Sequence, residues 1–330
     1  MTLKYGLLGC SNIAQKSFFP MLSDSNSLEA NFIGSRSIDK SKEWAEKHNV
    51  PNYGSYEDVI NSNVDVVYIT LPIALHEEWA IKALNSGKHV LCEKSSTISL
   101  QSATDMVRAA KSNNKRIMEG FSFRFHPQHK IINELVLKEL GEIQNFYGIY
   151  GSPAPKDDDI RWQKKLGGGV LNDVTCYPIC ASRDIFGDNA ESVMSHFIID
   201  QRCDVDRSND IMLHFKNGKS AFISAGFNNY YQSKYTLWGS KGSLTTKRAY
   251  AVPSSYQTSV YLDKDDQILE QAIEVADQFN IMIDIFSRTI TGKIVEPFNF
   301  ENDLIEQAKL MEAIRISGNE KRLVYLSEIE

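Results

Sequence analysis

The residues Gly9-Cys10-Ser11-Asn12-Ile13-Ala14 have the sizes and spacing of a turn that holds a phosphate. The apolar run Lys4 to Leu8 leads into them and an amphipathic pattern follows, so a strand, a tight turn and a helix start are expected. Gly9 lets the chain turn with no Cβ in the way, Ser11 is small enough for the backbone to approach a phosphate, and Ala14 allows close helix-to-strand packing. Asn12 and Ile13 contribute the free amides of the helix start, which face an anion. Ser11 stands where the usual G-x-G-x-x-G/A has its second glycine, so the pattern by itself also fits an ordinary strand-to-helix turn. A second candidate lies at Ser35-Arg36, at the end of the next apolar run. An NAD enzyme places an acidic residue there for the ribose 2′-hydroxyl; an arginine, with Ser35 and Lys40 as further donors, suits the 2′-phosphate of NADP(H) instead. NADP(H) is therefore favoured, with NAD(H) as the alternative.

The elements that must position these residues follow from the apolar pattern. Strands are expected at 30–35, 64–71, 89–92 and 116–119, separated by helices at 39–48, 76–86 and 99–113. Short apolar strands alternating with helices indicate a parallel sheet covered on both faces, a doubly wound dinucleotide-binding Rossmann domain over residues 1–120. From Gly148 the strands lengthen and alternate, at 192–199, 210–215, 220–227 and 235–238, with a hairpin signal at Lys216-Asn217-Gly218-Lys219. Helices return at 277–291 and 301–317. Residues 121–330 are thus expected to form an α+β domain for substrate binding and oligomerisation, built on a large open, mainly antiparallel sheet. The open sheet favours a homodimer or homotetramer.

The 330 residues carry 36 basic and 42 acidic side chains, a net charge of -6 that favours neither nucleic acid nor an anionic membrane as partner. No apolar run is long enough to span a bilayer, and the first strand so close to Met1 leaves no room for a signal peptide, so the cytoplasm is the expected location. Five scattered cysteines without a C-x-x-C pair suit a reducing compartment. Cys176 and Cys180 lie one helical turn apart and His126 and His129 three residues apart, but neither pair has the further ligands of a tetrahedral site, and no metal is expected. Gly239 to Ser243 lacks the spacing of a nucleotide-binding phosphate loop and reads as a hairpin turn. Tyr230, Tyr231, Tyr235 and Trp238 offer rings to a base or sugar face, or else cover a sheet that packs on a partner subunit.

At Val90-Leu91-Cys92-Glu93-Lys94 the chain resembles the Gfo/Idh/MocA oxidoreductases, whose fourth strand ends in E-K-P. The resemblance extends to Asp65 through Pro72, with Thr70, Leu71 and Pro72 at its end, and to His76, Ala80 and Gly87-Lys88-His89. It continues through Glu119-Gly120-Phe121, Arg124-Phe125-His126-Pro127, Asp159-Ile160-Arg161 and the run Gly167 to Pro178, similar to the family's G-G-G-x-L-x-D-x-x-x-[YH]. The tyrosine version with R-F-H-P upstream is closest to the branch of sugar-nucleotide ketoreductases and of pentose and dihydrodiol dehydrogenases. Two positions depart from the pattern: Ser95 replaces the family proline, and Thr175 stands where glycine is usual.

The resemblance implies a hydride transfer between nicotinamide and a carbonyl or hydroxyl of a sugar or sugar derivative, nucleotide-linked sugars included, at a cleft between the domains. Hydride transfer leaves negative charge on the carbonyl oxygen, which calls for a proton donor and a positive group there. Tyr177 is expected to carry the proton, with the Lys94 ammonium holding the oxygen and lowering the tyrosine pKa; the family also allows the lysine as proton carrier. Asp173, four residues before Tyr177, shares its helical face and would bond a sugar hydroxyl or orient Lys94. On the cofactor side the implied set is Gly9, Ser11, Asn12, Ile13, Ser35, Arg36, Lys40, Thr70, Leu71, Pro72, His76, Glu93 and Lys94; on the substrate side it is Arg124, His126 and Arg161. Arg161 equally fits an ion pair with the local Asp157-Asp158-Asp159 run. Two other readings remain in the family: a catalytically silent dinucleotide-binding regulator, and a nicotinamide-dependent glycosidase.

Overall fold

A computed structural model describes residues 2–20, 28–187 and 190–330. The chain opens with β1 (Leu3–Leu8), then α1 over 12–20, which contains a π-helical turn at Ala14–Phe18, then β2 (Leu28–Gly34) and α2 (Ile38–His48). There follow β3 (Asn52–Gly54), α3 (Tyr56–Asn61), β4 (Val66–Ile69), α4 (His76–Asn85), β5 (His89–Glu93), α5 (Leu100–Ser112) and β6 (Ile117–Gly120). Serines start three of these helices: Ser37, Ser55 and Ser99 each accept a backbone N–H from three residues on, and Ser55 closes a capping box with Asp58. All six strands run parallel, in the order β3-β2-β1-β4-β5-β6. Because the order reverses between β1 and β4, the strand ends there open a crevice. β3 and α3 were not expected; three and six residues are too short to carry a periodic signal.

The chain continues with α6 (Pro127–Leu135), β7 (Ile143–Ser152) and α7 (Cys176–Phe186), which follows a π-helical turn at Leu171–Thr175. Then come β8 (Ser192–Asp200), β9 (Val205–His214), β10 (Ser220–Phe227), β11 (Gln232–Gly239), β12 (Ser243–Thr246), β13 (Ser259–Lys264) and β14 (Gln267–Ala272). The last elements are α8 (Gln278–Ile290), α9 (Phe300–Glu320) and β15 (Val324–Tyr325). The second sheet has nine strands in the order β14-β13-β12-β11-β7-β10-β9-β8-β15, antiparallel except that β7 and β10 run parallel. Asn217 and Gly218, both at positive φ, make the expected β9–β10 hairpin turn, and residues 239–243 turn β11 into β12. One face of this sheet buries Phe146, Tyr150, Tyr235, Leu237 and Leu244. On the other face, Tyr147 and Phe222 stack at 5.3 Å.

The chain divides into two compact units, residues 1–121 with 279–305, and residues 122–278 with 306–330. The expected single boundary after residue 120 thus leaves out a returning segment. Tyr5, fully buried in β1, shares a 2.7 Å hydrogen bond with Ser287 of α8. The Arg116 guanidinium binds Glu301 at 2.8 and 2.9 Å and pairs with Glu296. Phe286 and Phe300 are buried, 5.9 Å apart. A helix that buries apolar area and carboxylate partners against a sheet joins that sheet's core, wherever it falls in the sequence.

Candidate active site

In the first unit the candidate cofactor residues gather at the carboxyl ends of β1, β2, β4 and β5. Gly9 turns at φ +104°, and a Cβ there would stand 3.0 Å from the Leu71 side chain and 3.1 Å from the Thr70 carbonyl. The chain thereby leaves a cradle that only glycine allows. Thr70 Oγ1 lies 3.1 Å from the Leu8 and Gly9 carbonyl oxygens, tying the β1 and β4 ends together. Ser11 Oγ accepts the Ala14 N–H at 3.2 Å as a helix cap, and its own O–H remains a donor at the rim of the turn. Asn12 is exposed and Ile13 half-buried at the same helix start, and Pro72 is half-buried after Leu71.

At the end of β2, Ser35 is buried and accepts the Ser37 N–H at 3.2 Å, while Arg36 and Lys40 are exposed. Tyr56 hydrogen-bonds both the backbone and the side chain of Arg36, and burial pushes its phenol above the ordinary range. Sequence reasoning did not single out Tyr56, which steadies the guanidinium. His76 is buried at the start of α4, with Nδ1 3.1 Å from the Ser95 carbonyl and Nε2 2.8 Å from the Leu71 carbonyl. Burial and the nearby Lys94 outweigh these contacts and push its pKa down to about 4. Lys94 is half-buried directly after β5, and the Lys94–Ser95 peptide is cis. The Glu93 carboxylate is buried and accepts from the Tyr68 hydroxyl at 2.5 Å. Desolvation raises its pKa above the ordinary range.

In the second unit Asp173 and Tyr177 are the two positions of 171–180 that are not buried, so they share the open face of their helix. The rest of that helix start is built into the protein. Burial pushes the Asp206 carboxyl up, while Oδ2 accepts the Leu171 N–H at 2.6 Å and the Asn209 amide at 3.0 Å. Asn209 Oδ1 in turn accepts from Thr175 Oγ1 at 2.8 Å, and the same hydroxyl lies 3.1 Å from the Val170 carbonyl. The register of β8 on β9 shifts at Ile198/Ile199, where Ile198 faces Ser208 and Ile199 faces Asp206. The extra residue lets Asp206 and Asn209, three apart, face the same way. Gly169, at φ +114°, is required because a Cβ would stand 2.1 Å from Asp206 Oδ1. Thr175, the departure from the family pattern, thus has its own partner in Asn209.

The softer substrate candidates are largely occupied. Arg161 Nε binds Asp173 Oδ2 at 2.6 Å and its NH1 binds both Asp159 oxygens at 3.1 Å, so the guanidinium bridges the helix face to the acidic run. Arg124 donates to Asp184 of α7 at 2.6 Å. His126 caps α6 by accepting the Gln128 N–H at Nδ1, which leaves the proton on Nε2; that atom is buried with no hydrogen-bond partner among the described residues. His129 is held by Ala249 and Tyr235, and Cys176 and Cys180 are buried in α7. Among the described residues no cluster could hold a metal, and no helix is long and apolar enough to cross a membrane.

Comparisons with known proteins agree with this architecture. Residues 3–121 match the model of the Gfo/Idh/MocA oxidoreductase family, NAD-binding Rossmann fold, and residues 132–245 match the Gfo/Idh/MocA C-terminal domain. A dTDP-3,4-didehydro-2,6-dideoxy-alpha-D-glucose 3-reductase of Saccharopolyspora spinosa is 30% identical over 319 residues, 94% of this chain and 96% of the relative. The D-xylose 1-dehydrogenase (NADP(+)) 2 of Haloferax volcanii is 29% identical over 295 residues, 88% of this chain and 90% of its own. The crystal structure of a 3-ketoreductase from Actinomadura kijaniata, solved with NADP and TDP-benzene, superposes with a TM-score of 0.92 at 30% identity, covering 96% of this chain and 98% of that one. With both domain models matched and a relative 30% identical nearly end to end, the chain belongs to the Gfo/Idh/MocA family of oxidoreductases.

Proposed function

We propose that this protein is an NADP(H)-dependent oxidoreductase acting on a carbonyl or hydroxyl carbon of a sugar or sugar derivative. The observation that carries the reading is Lys94, which follows the β5 end in the same unit as the Gly9 cradle. Gly9, Ser11, Asn12 and Ile13 fit a pyrophosphate, because the turn is open where a Cβ would close it and presents helix-start amides. Arg36, steadied by Tyr56 and flanked by Ser35 and Lys40, fits the 2′-phosphate. The nicotinamide, when bound, gives or takes the hydride.

Lys94 and Tyr177 serve the substrate oxygen. Tyr177 gives its phenolic proton as charge grows on that oxygen, and the Lys94 ammonium stabilises both the oxygen and the phenolate left behind. Asp173, turned by Arg161, bonds a sugar hydroxyl and fixes which carbon is presented. His76 is a positioning residue: the neutral ring donates from one nitrogen only, to the Leu71 carbonyl at 2.8 Å or to the Ser95 carbonyl at 3.1 Å, and packs beside the loop that carries Lys94. Glu93, the last residue of β5, is held by the Tyr68 hydroxyl of β4.

The cytoplasm as location is supported by five cysteines with no disulfide. A homodimer built on the open face of the nine-stranded sheet is supported by Tyr147, Met194 and Phe222, which are 38%, 40% and 38% exposed there. Titration with NADPH, followed by nicotinamide fluorescence, tests the reading; tight binding with weaker NADH binding is expected, and no binding of either overturns it.

A further inference from the structure

The turn that carries Lys94 leaves the end of β5 with little regular structure to hold it, since α5 begins only at Leu100. Ser95 stands there in place of the family's proline, so no ring fixes the backbone φ at that position. The restraint must come from hydrogen bonds. His76 supplies at most one, because its neutral ring donates either to the Ser95 carbonyl or to the nearer Leu71 carbonyl. The Glu93 carboxylate takes the Lys94 N–H together with the Tyr68 hydroxyl, which secures the amide that enters the turn.

Beyond the lysine, one bond has a fixed direction. The Ser96 N–H donates to Glu119 Oε1 at 2.7 Å, the length of a charge-assisted bond. Ser96 is 1% exposed and Glu119 8%, so water does not replace that acceptor. Glu119 lies on β6 opposite Cys92 of β5, and it therefore reaches past the end of its neighbour strand to the second residue after Lys94. The Ser96 hydroxyl lies 3.5 Å from the Cys92 and Glu93 carbonyls, so the turn folds back onto the strand it leaves. A neutral oxygen would satisfy a buried amide without the cost of burying a charge. The carboxylate grips it harder.

Resting on the reading of the protein as an oxidoreductase that works through Lys94, we propose that Glu119 is a positioning residue for the reaction. Its carboxylate clamps the Ser96 amide and so sets where the Lys94 ammonium stands. The clamp matters because a reacting group misplaced by about 1 Å costs about a hundred-fold in rate.

The test needs no substrate. Reductive methylation with isotopically labelled formaldehyde keeps each lysine charged, and the Lys94 methyl resonance is assigned by its loss in Lys94→Arg. In the parent protein that resonance is expected apart from those of the exposed lysines. Glu119→Ala should shift it onto them, while Glu119→Gln, which removes the charge but keeps an acceptor oxygen for Ser96, should leave it in place. Glu119→Asp keeps the charge but draws the oxygen back by one methylene, so it should behave as the alanine variant does and carries the test if that variant does not fold. A role in folding alone would lower the urea midpoint and leave the resonance of the folded protein unchanged. A Lys94 resonance that coincides with the exposed lysines in the parent, that does not move in Glu119→Ala and Glu119→Asp, or that moves in Glu119→Gln overturns the proposal. NADPH titration of the unmethylated proteins separates the two readings. Failure of the parent to bind NADPH removes the oxidoreductase assignment, whereas NADPH binding with a Lys94 resonance indifferent to these substitutions removes only the role of Glu119.

Discussion

His76 Nδ1 lies 3.1 Å from the carbonyl of Ser95, so a buried imidazole ties the start of α4 to the turn that follows Lys94. The folded chain keeps this ring neutral down to about pH 4, whereas the unfolded chain protonates it near the ordinary 6.5. Between those values the unfolded state binds the extra proton. Stability is therefore full above the ordinary value and falls as pH drops towards about 4, by roughly 3 kcal/mol at most from this residue. Buried His129, pushed down to about 3, acts in the same direction. Urea unfolding at about pH 7 and about pH 5 should show the loss, and His76→Gln should flatten its slope.

Arg36→Glu should exchange the cofactor preference. Losing the charged hydrogen bonds to a 2′-phosphate costs about 1.5–3 kcal/mol, so NADPH affinity should fall about ten-fold to a hundred-fold. NADH, whose ribose hydroxyl a carboxylate accepts, should bind as well or better. Fluorescence titration of both cofactors on both proteins measures the exchange.

Lys94→Ala and Tyr177→Phe should each lower kcat by about a hundred-fold or more while NADPH still binds. A functional proton donor that loses only its hydroxyl leaves packing intact, so the tyrosine variant should unfold at the same urea concentration as the parent. Single-turnover oxidation of bound NADPH, once a substrate is in hand, reads the chemical step alone.

Asp206→Ala should destabilise the second unit by about 2–3 kcal/mol, because it strands the Leu171 N–H and the Asn209 amide in a buried place. Thr175→Ala removes one hydroxyl bond to Asn209 and should cost about 1 kcal/mol. The two effects should not add, since both act through Asn209. A double-mutant cycle in urea provides the check.

Phe222→Glu places a charge against Tyr147 on the open sheet face. If that face joins two copies, the variant should sediment as a monomer at concentrations where the parent is a dimer.

The sequence carried most of the first sheet, because the strands other than β3 are short apolar runs, and α2 and α5 begin at serine caps. Asp173 and Tyr177 were legible through the resemblance to the family's glycine-led segment, and their shared open face follows from their four-residue spacing on a helix. Asp206 and Asn209 were not legible. Three apart on a regular strand they would face opposite ways, and the bulge that aligns them leaves no mark in local composition. Arg161 read either as a substrate group or as a partner of the local acidic run, and it holds Asp159 of that run, but its second partner Asp173 and the Arg124 partner Asp184 lie too far along the chain for any spacing rule to link them. Glu93 is the subtler case: its motif gives its position at the strand end but not its partner, the Tyr68 hydroxyl on the neighbouring strand.

The segment Phe279–Ile305 closes the first unit only after the whole second sheet has been made. During synthesis the parallel sheet must therefore wait, with Tyr5 lacking Ser287 and Arg116 lacking Glu301, until the chain has been made through residues 122–278 and on to Glu301. A fragment ending at residue 121 omits that closing piece, so the nucleotide half cannot be cut out as one continuous stretch. Cofactor affinity, which depends on that half, becomes a report on whether the far end of the polypeptide has arrived.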